Sequence, residues 1–122
     1  MTKLAIVGSA SLAGNKEAVR IIRKVLDRWN PELVISGGAV GIDTMAIDID
    51  EELGLDTWVF LPKAKNWING YRPRNLKIAN ACDALIRIVS SDSKTYGSGW
   101  TRDRASEMGK HTEEYVIKRR KQ

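Results

Sequence analysis

The 122-residue chain predicts an α/β fold. In detail this is a Rossmann-like three-layer α/β/α sandwich on a five-stranded, mostly parallel sheet, in the order 3-2-1-4-5. Three observations carry the prediction. Leu4-Ala5-Ile6-Val7, Leu33-Val34-Ile35 and Ala84-Leu85-Ile86-Arg87-Ile88-Val89 are short, nearly continuous apolar runs, the pattern of strands buried on both faces. Between them lie stretches with apolar residues at helical spacing. The resulting βαβαβαβαβ order, with right-handed crossovers, makes a parallel sheet with helices on both faces.

Taken in order, the first strand ends in Gly8-Ser9, and residues 9–14 form a small-residue loop. Asn15 caps a helix from about Lys16 to Trp29, with Val19, Ile22, Val25 or Leu26, and Trp29 on its apolar face. Asn30-Pro31 stops it. The second strand runs into the turn Ser36-Gly37-Gly38-Ala39-Val40-Gly41, which opens a helix to about Leu53, with Gly54 as its cap. Thr57 to Leu61 is the third strand, and a polar loop follows to Gly70. Tyr71-Arg72-Pro73-Arg74-Asn75 opens the third helix, with Pro73 in its first turn. After the fourth strand, a polar loop spans Ser90 to Ser98. The last helix runs from about Trp100 or Thr101 to Met108, and Glu114-Tyr115-Val116-Ile117 is a weak fifth strand.

Composition narrows the class. Hydrophobic content of 43% and charged content of 29% suit a soluble domain over residues 1–117, followed by a basic tail at 118–122. The net charge of +5 is concentrated in that tail. Removing Lys118, Arg119, Arg120 and Lys121 from the 20 basic residues leaves 16 against 15 acidic ones. The apolar runs are too short to span a bilayer, so no membrane partner is expected. The N-terminus enters a strand directly, and Cys82 is alone in an apolar setting. The expected location is the cytoplasm. One Cys and one His exclude the usual Cys/His zinc sites; no metal and no required cofactor are expected.

The chemistry lies beyond the carboxyl ends of the strands, where the strand order reverses. Four loops meet there: 8–14, 37–41, 62–74 and 90–100. Glycine turns before helices offer free amides and the positive end of a helix dipole, suited to an anion or a hydroxyl-rich ligand. Asp43, in the first turn of the second helix, favours a sugar hydroxyl over a bare phosphate at that position. Gly97-Ser98-Gly99 before Thr101 forms a second cradle with no acid at its start, the better place for phosphate. Arg74 or Arg72 reaches it with a guanidinium shaped for phosphate. The ligand-binding set is therefore Gly8, Ser9, Ser36, Gly37, Gly38, Gly41, Asp43, Arg74, Asn75, Gly97, Ser98, Gly99 and Thr101. The same residues also fit plainer roles. Gly37 and Gly38 make a tight turn that Asp43 caps, Arg74 pairs with Asp43 or Glu107, and Asn75 caps its helix.

Several segments carry a family resemblance. Ser36 to Ala46 resembles the S-G-x-A-x-G-I-D-x-x-A signature of DprA/Smf proteins. Arg74-Asn75-Leu76-Lys77-Ile78-Ala79 resembles their R-N-x-x-I-A segment. Gly97-Ser98-Gly99-Trp100-Thr101, with Ala105 and Gly109, is similar to their G-S-x-x-T-x-x-x-A-x-x-x-G segment. The chain is thus identified as resembling the SLOG superfamily, which also holds LOG-type phosphoribohydrolases and small stand-alone members. The resemblance implies a Rossmann-like fold and a pocket for nucleotides or their derivatives. DprA-type proteins also bind single-stranded DNA and the recombinase RecA, whereas the near-balanced body of this chain lacks the strong positive charge such a surface needs, so nucleic acid is a secondary expectation. The LOG-type P-G-G-x-G-T-x-x-E signature is not reproduced.

Three functions follow, in order of preference. The first is binding of a nucleotide or nucleotide derivative. The second is hydrolysis of a nucleoside monophosphate's N-glycosidic bond, with Asp43 and then Glu107 as the catalytic carboxylate. The third is single-stranded nucleic-acid binding, with the tail, Lys63, Lys65 and Arg72 on phosphates and Trp67 or Tyr71 stacking; Trp67 also fits a lid or interface. Sheet edges and aromatics such as Trp29 and Trp100, read as exposed, lead to an expected homo-oligomer, a dimer or higher.

Overall fold

The computed structural model describes residues 2–93 and 97–118. Of the basic tail only Lys118 falls within them, and the loop expected at 90–98 is described in part. Five strands, β1 (Lys3–Gly8), β2 (Leu33–Ser36), β3 (Asp56–Val59), β4 (Ala84–Ser90) and β5 (His111–Ile117), form one sheet in the order β3-β2-β1-β4-β5. Every pair is parallel, with Ala5 beside Ile35 and Leu85, and Ile88 beside Tyr115. The Rossmann-like α/β fold and its strand order therefore hold.

Alternation along β1 explains the layers. Leu4 and Ile6 point to the face covered by α1 (Lys16–Trp29) and α2 (Ile42–Leu53), against Ile22, Val25, Ile42 and Ala46. Ala5 and Val7 point to the other face, against Ile78 and Ala79 of α3 (Arg72–Ala81) and Ala105 of α4 (Gly97–Glu107). Leu4, Ala5 and Ile6 have no exposed surface at all, as a central strand buried on both faces requires. Cys82 is buried in this second layer.

Several boundaries differ from expectation, each for a local reason. β3 starts at Asp56 and stops at Val59; Leu61 lies beyond it and is exposed. An edge strand of four residues has no second neighbour to extend its ladder. β5 is a seven-residue strand in full register with β4, because that ladder outweighs the poor strand propensity of Glu113 and Glu114. α4 begins at Gly97, so Gly97-Ser98-Gly99 forms its first turn and does not precede it. Two short helical turns occupy regions expected to be loop: a 3-10 turn at Ala10–Leu12 and a π-helical turn at Trp67–Tyr71. The two tryptophans read as exposed are half-buried. Trp29 packs on the first core and tilts against His111, and Trp100 packs edge-on to Trp67.

Candidate functional site

The site starts with the turn between β2 and α2. Ser36 is fully buried; its hydroxyl donates to the Asp43 carbonyl at 3.2 Å and accepts from the Gly38 amide. Gly41, the residue before α2, sits at φ +100° and ψ −129°. A Cβ there would lie 2.6 Å from Ala10 Cα. Glycine is therefore required both by conformation and by close approach of the loop after β1. Ser9 locks the same corner. Its amide donates to the Ile88 carbonyl, its hydroxyl accepts from the Ser90 amide, and its carbonyl accepts from the Ile42 amide.

This corner buries Asp43 to 6% exposure. One carboxylate oxygen accepts from the Ala39 amide at 3.3 Å. Burial pushes the carboxyl up to about 6, against the opposing pull of the Ala39 amide, the Arg74 guanidinium and the Gly37 amide. Arg74 lies close by: a Cβ on Gly37 would meet Arg74 Nη1 at 2.7 Å and Asp43 Oδ2 at 2.8 Å. The absent side chain of Gly37 is what lets the two charges approach.

Arg74 does not make the ion pair weighed for it with Asp43 or Glu107. Its Nη1 donates to the carbonyls of Gly37 and Phe60, and its Nε donates to Asn75 Oδ1 at 2.7 Å. Burial lowers its pKa while Asp43 and Tyr71 oppose that shift. Asn75 is not a helix cap either. It is buried inside α3, accepting from Arg74 and donating to the Gly97 carbonyl at 3.5 Å, which joins α3 to the start of α4.

The start of α4 has no acid in its first turn, in contrast to α2. Thr101 is buried and donates to the Gly97 carbonyl at 2.8 Å. Ser98 accepts from Arg87 Nε at 2.9 Å. Arg87 lies on β4, beneath Gly99, and also pairs with Glu114. It pins the first turn of α4 to the sheet.

Together these elements line one cleft of about 680 Å³. Of the residues singled out from sequence, Gly8, Asp43, Arg74, Asn75, Gly97, Ser98 and Thr101 line it. Ser9, Ser36, Gly37, Gly38, Gly41 and Gly99 are not on its wall; they shape the turns behind it. Glu107 is elsewhere, exposed at the end of α4 with its carboxylate on Arg104. Sequence reasoning left Val7, Ala10, Ala39, Val40 and Ile78 out of the lining. It weighed Trp67 and Tyr71 as stacking residues for a nucleic acid, and Trp67 also as a lid or interface residue; both stand on the cleft wall. Asn66 caps the turn that carries them by accepting from the Asn69 amide. Arg87 was legible only as a charge inside an otherwise apolar strand.

No protein-family model and no curated protein matches the chain. Among solved structures, DNA processing protein A (DprA) from Streptococcus pneumoniae matches with a TM-score of 0.72 at 26% identity. The match covers 93% of this chain and 50% of that one, so the chain spans about half the length of this neighbour. The fold is DprA-like. No helix among the described residues is long and apolar enough to cross a membrane.

Proposed function

We propose that the cleft binds a nucleotide or a nucleotide derivative. The observation that carries this reading is the convergence of Asp43, Arg74, the first turn of α4 and two aromatic residues on one cavity of about 680 Å³, a size suited to a small ligand. The base lies against Trp67 and Tyr71. A sugar hydroxyl donates to Asp43. The phosphate meets the unpaired amides of α4's first turn. Arg74 Nη2, which has no hydrogen-bond partner among the described residues, adds a charged donor. The acid at the start of α2 and its absence at the start of α4 support this polarity.

Calorimetry with AMP, cyclic AMP, NAD and ADP-ribose tests the reading. Saturable binding is expected for at least one of them, weakened about tenfold or more by Arg74→Ala or Trp67→Ala. Silence from all four at millimolar concentration overturns it. Asp43 must be ionised to accept the sugar hydroxyl. The affinity for cyclic AMP, whose phosphodiester does not titrate in this range, therefore falls as the pH drops through about 6.

Two further readings rest on particular observations. Asp43, with its carboxyl raised to about 6 on the cleft wall, fits the carboxylate of an N-glycosidic hydrolase. Release of free base, abolished in Asp43→Asn, is the expected sign of turnover. Likeness to a DNA-processing protein supports single-stranded nucleic acid at the same mouth, with Lys63, Lys65 and Arg72 flanking Trp67 and Tyr71. Self-association belongs to the proposal as well. Edge strand β3 leaves Trp58 and Val59 exposed, with exposed Leu61 two residues on, and a monomeric mass in light scattering overturns it. The cytoplasm is the proposed location.

A further inference from the structure

β4 carries one charge in an otherwise apolar run. Arg87 is the one residue of that strand that is not buried, and its side chain is still only 13% exposed. Register places it between Val7 of β1 and Glu114 of β5. Alternation turns it to the face of Leu85, the side covered by α3 and α4. A guanidinium so nearly dry costs free energy unless its donors are matched. Nη1 pairs with Glu114, and Nε donates to Ser98 Oγ at 2.9 Å. Glu114 also accepts from Arg102 of α4, so the tie between α4 and β5 does not depend on Arg87 alone.

The bond to Ser98 fixes a polarity. A serine hydroxyl has one proton to donate and two lone pairs, and its rotor turns to suit its surroundings. A guanidinium has donors and no acceptor. With Arg87 Nε on one lone pair, the Ser98 proton cannot point at Arg87 and turns away from it. No described residue accepts from Ser98 Oγ. Ser98 lines the cleft and Arg87 does not, so the cleft is what remains for that proton. Thr101, one turn on, has spent its proton on the Gly97 carbonyl at 2.8 Å. Of the two hydroxyls on this wall, Ser98 is the one with a proton to give. Accepting from a charged donor also polarises its O–H and strengthens the bond it can make.

We infer, on the nucleotide reading of the cleft, that Arg87 is a positioning residue that sets anion selectivity: it holds Ser98 as a hydrogen-bond donor to a phosphate oxygen of the ligand. Arg87 acts through Ser98 and touches no ligand itself. The fork of a guanidinium is what the task needs, since Nη1 is tethered to Glu114 while Nε is presented to Ser98. Without Arg87, the Ser98 hydroxyl rotates freely and meets the cleft with either polarity. A mechanical brace between α4 and the sheet would behave differently, because it would support every ligand of the cleft equally.

The test follows the amides of Gly97 to Thr101 by NMR on the isotope-labelled full chain. The probes are inorganic phosphate, cyclic AMP and adenosine, which has no phosphate. Phosphate and cyclic AMP are expected to shift these amides saturably. Arg87→Met keeps an apolar stem and removes the donors. It is expected to weaken both probes about tenfold, the worth of a hydrogen bond to a charged group, and to leave adenosine unchanged. Ser98→Ala is expected to lose as much. The double variant binds cyclic AMP no more weakly than Ser98→Ala alone, since one residue acts through the other. Thermal melts establish that the variants are folded. If Arg87→Met does not fold, Ser98→Ala still decides, and wild-type affinity for phosphate and cyclic AMP in that variant overturns the inference. It is also overturned if neither phosphate-bearing probe moves the amides, if Arg87→Met binds both as the wild type does or weakens adenosine equally, or if the losses add in the double variant. If inorganic phosphate shows the Arg87 dependence while no nucleotide binds, the nucleotide reading falls and the role of Arg87 stands.

Discussion

Asp43 and Asp50 sit about two turns apart on α2, and burial pushes both carboxyls up to about 6. Their surroundings are otherwise opposite. Asp43 faces the cleft, with the amides of Ala39 and Gly37 and the guanidinium of Arg74 favouring its charge. Asp50 has no exposed surface. One oxygen accepts from the Thr57 hydroxyl at 2.9 Å, and the other has no hydrogen-bond partner among the described residues. A raised carboxyl pKa therefore does not by itself mark a site. Access to a cavity and partners that prefer the ionised form separate a candidate ligand-binding carboxylate from a costly structural one.

Substitutions on α2 and its neighbours sharpen this contrast. The largest effect is expected at the end nearest Asp43. Gly41→Ala places a methyl against Ala10 at a backbone angle that L-residues avoid, and loses about 3 kcal/mol or more, read from the urea midpoint. At the far end Gly54 also has positive φ, +73°, but a Cβ there meets nothing within 4 Å. Gly54→Ala is expected to cost only about 1 kcal/mol.

Asp50→Asn comes next. The folded carboxyl titrates near 6, and its ordinary value is 3.8. The folded chain thus holds the proton more tightly, and the stability this provides is complete below about pH 3.8 and lost as the pH rises through 6. The variant should melt higher than wild type at pH 7.5, by about 1–3 kcal/mol, with the advantage fading below pH 4. Asp43→Asn should gain less than about 1 kcal/mol, because two amides and an arginine lose their charged acceptor. Equal gains from the two variants would break the comparison. The smallest effect is expected for Glu107→Gln, within about 0.5 kcal/mol and silent in ligand binding, since that carboxylate is exposed on Arg104.

The comparison also separates what local pattern reveals from what it hides. The apolar runs Leu4–Val7 and Ala84–Val89 announce a doubly covered sheet because burial on both faces leaves no polar alternation. Gly37, Gly41 and Asp43 were legible as a βα turn because glycine and a first-turn acid have local backbone reasons to be there. Trp67 was harder to place, since its position on the wall depends on a π-helical turn that no periodicity announces. Arg87 was missed because a charge in a core strand has meaning only through Ser98 and Glu114, 11 and 27 residues away. In sequence, Asp50 is one of four acids (Asp48, Asp50, Glu51 and Glu52) on what reads as the solvated face of α2, and only its bond from the Thr57 hydroxyl sets it apart.

Element order, strand order and the identity of the glycine turns thus follow from the chain alone, because each depends on spacing between near neighbours and on the handedness of the crossover. The wall of the cleft, the partners of Arg74 and Asn75 and the fates of the two aspartates came only from tertiary structure. Those properties depend on which side chains meet across loops and faces, and that distance in space is not written in sequence separation.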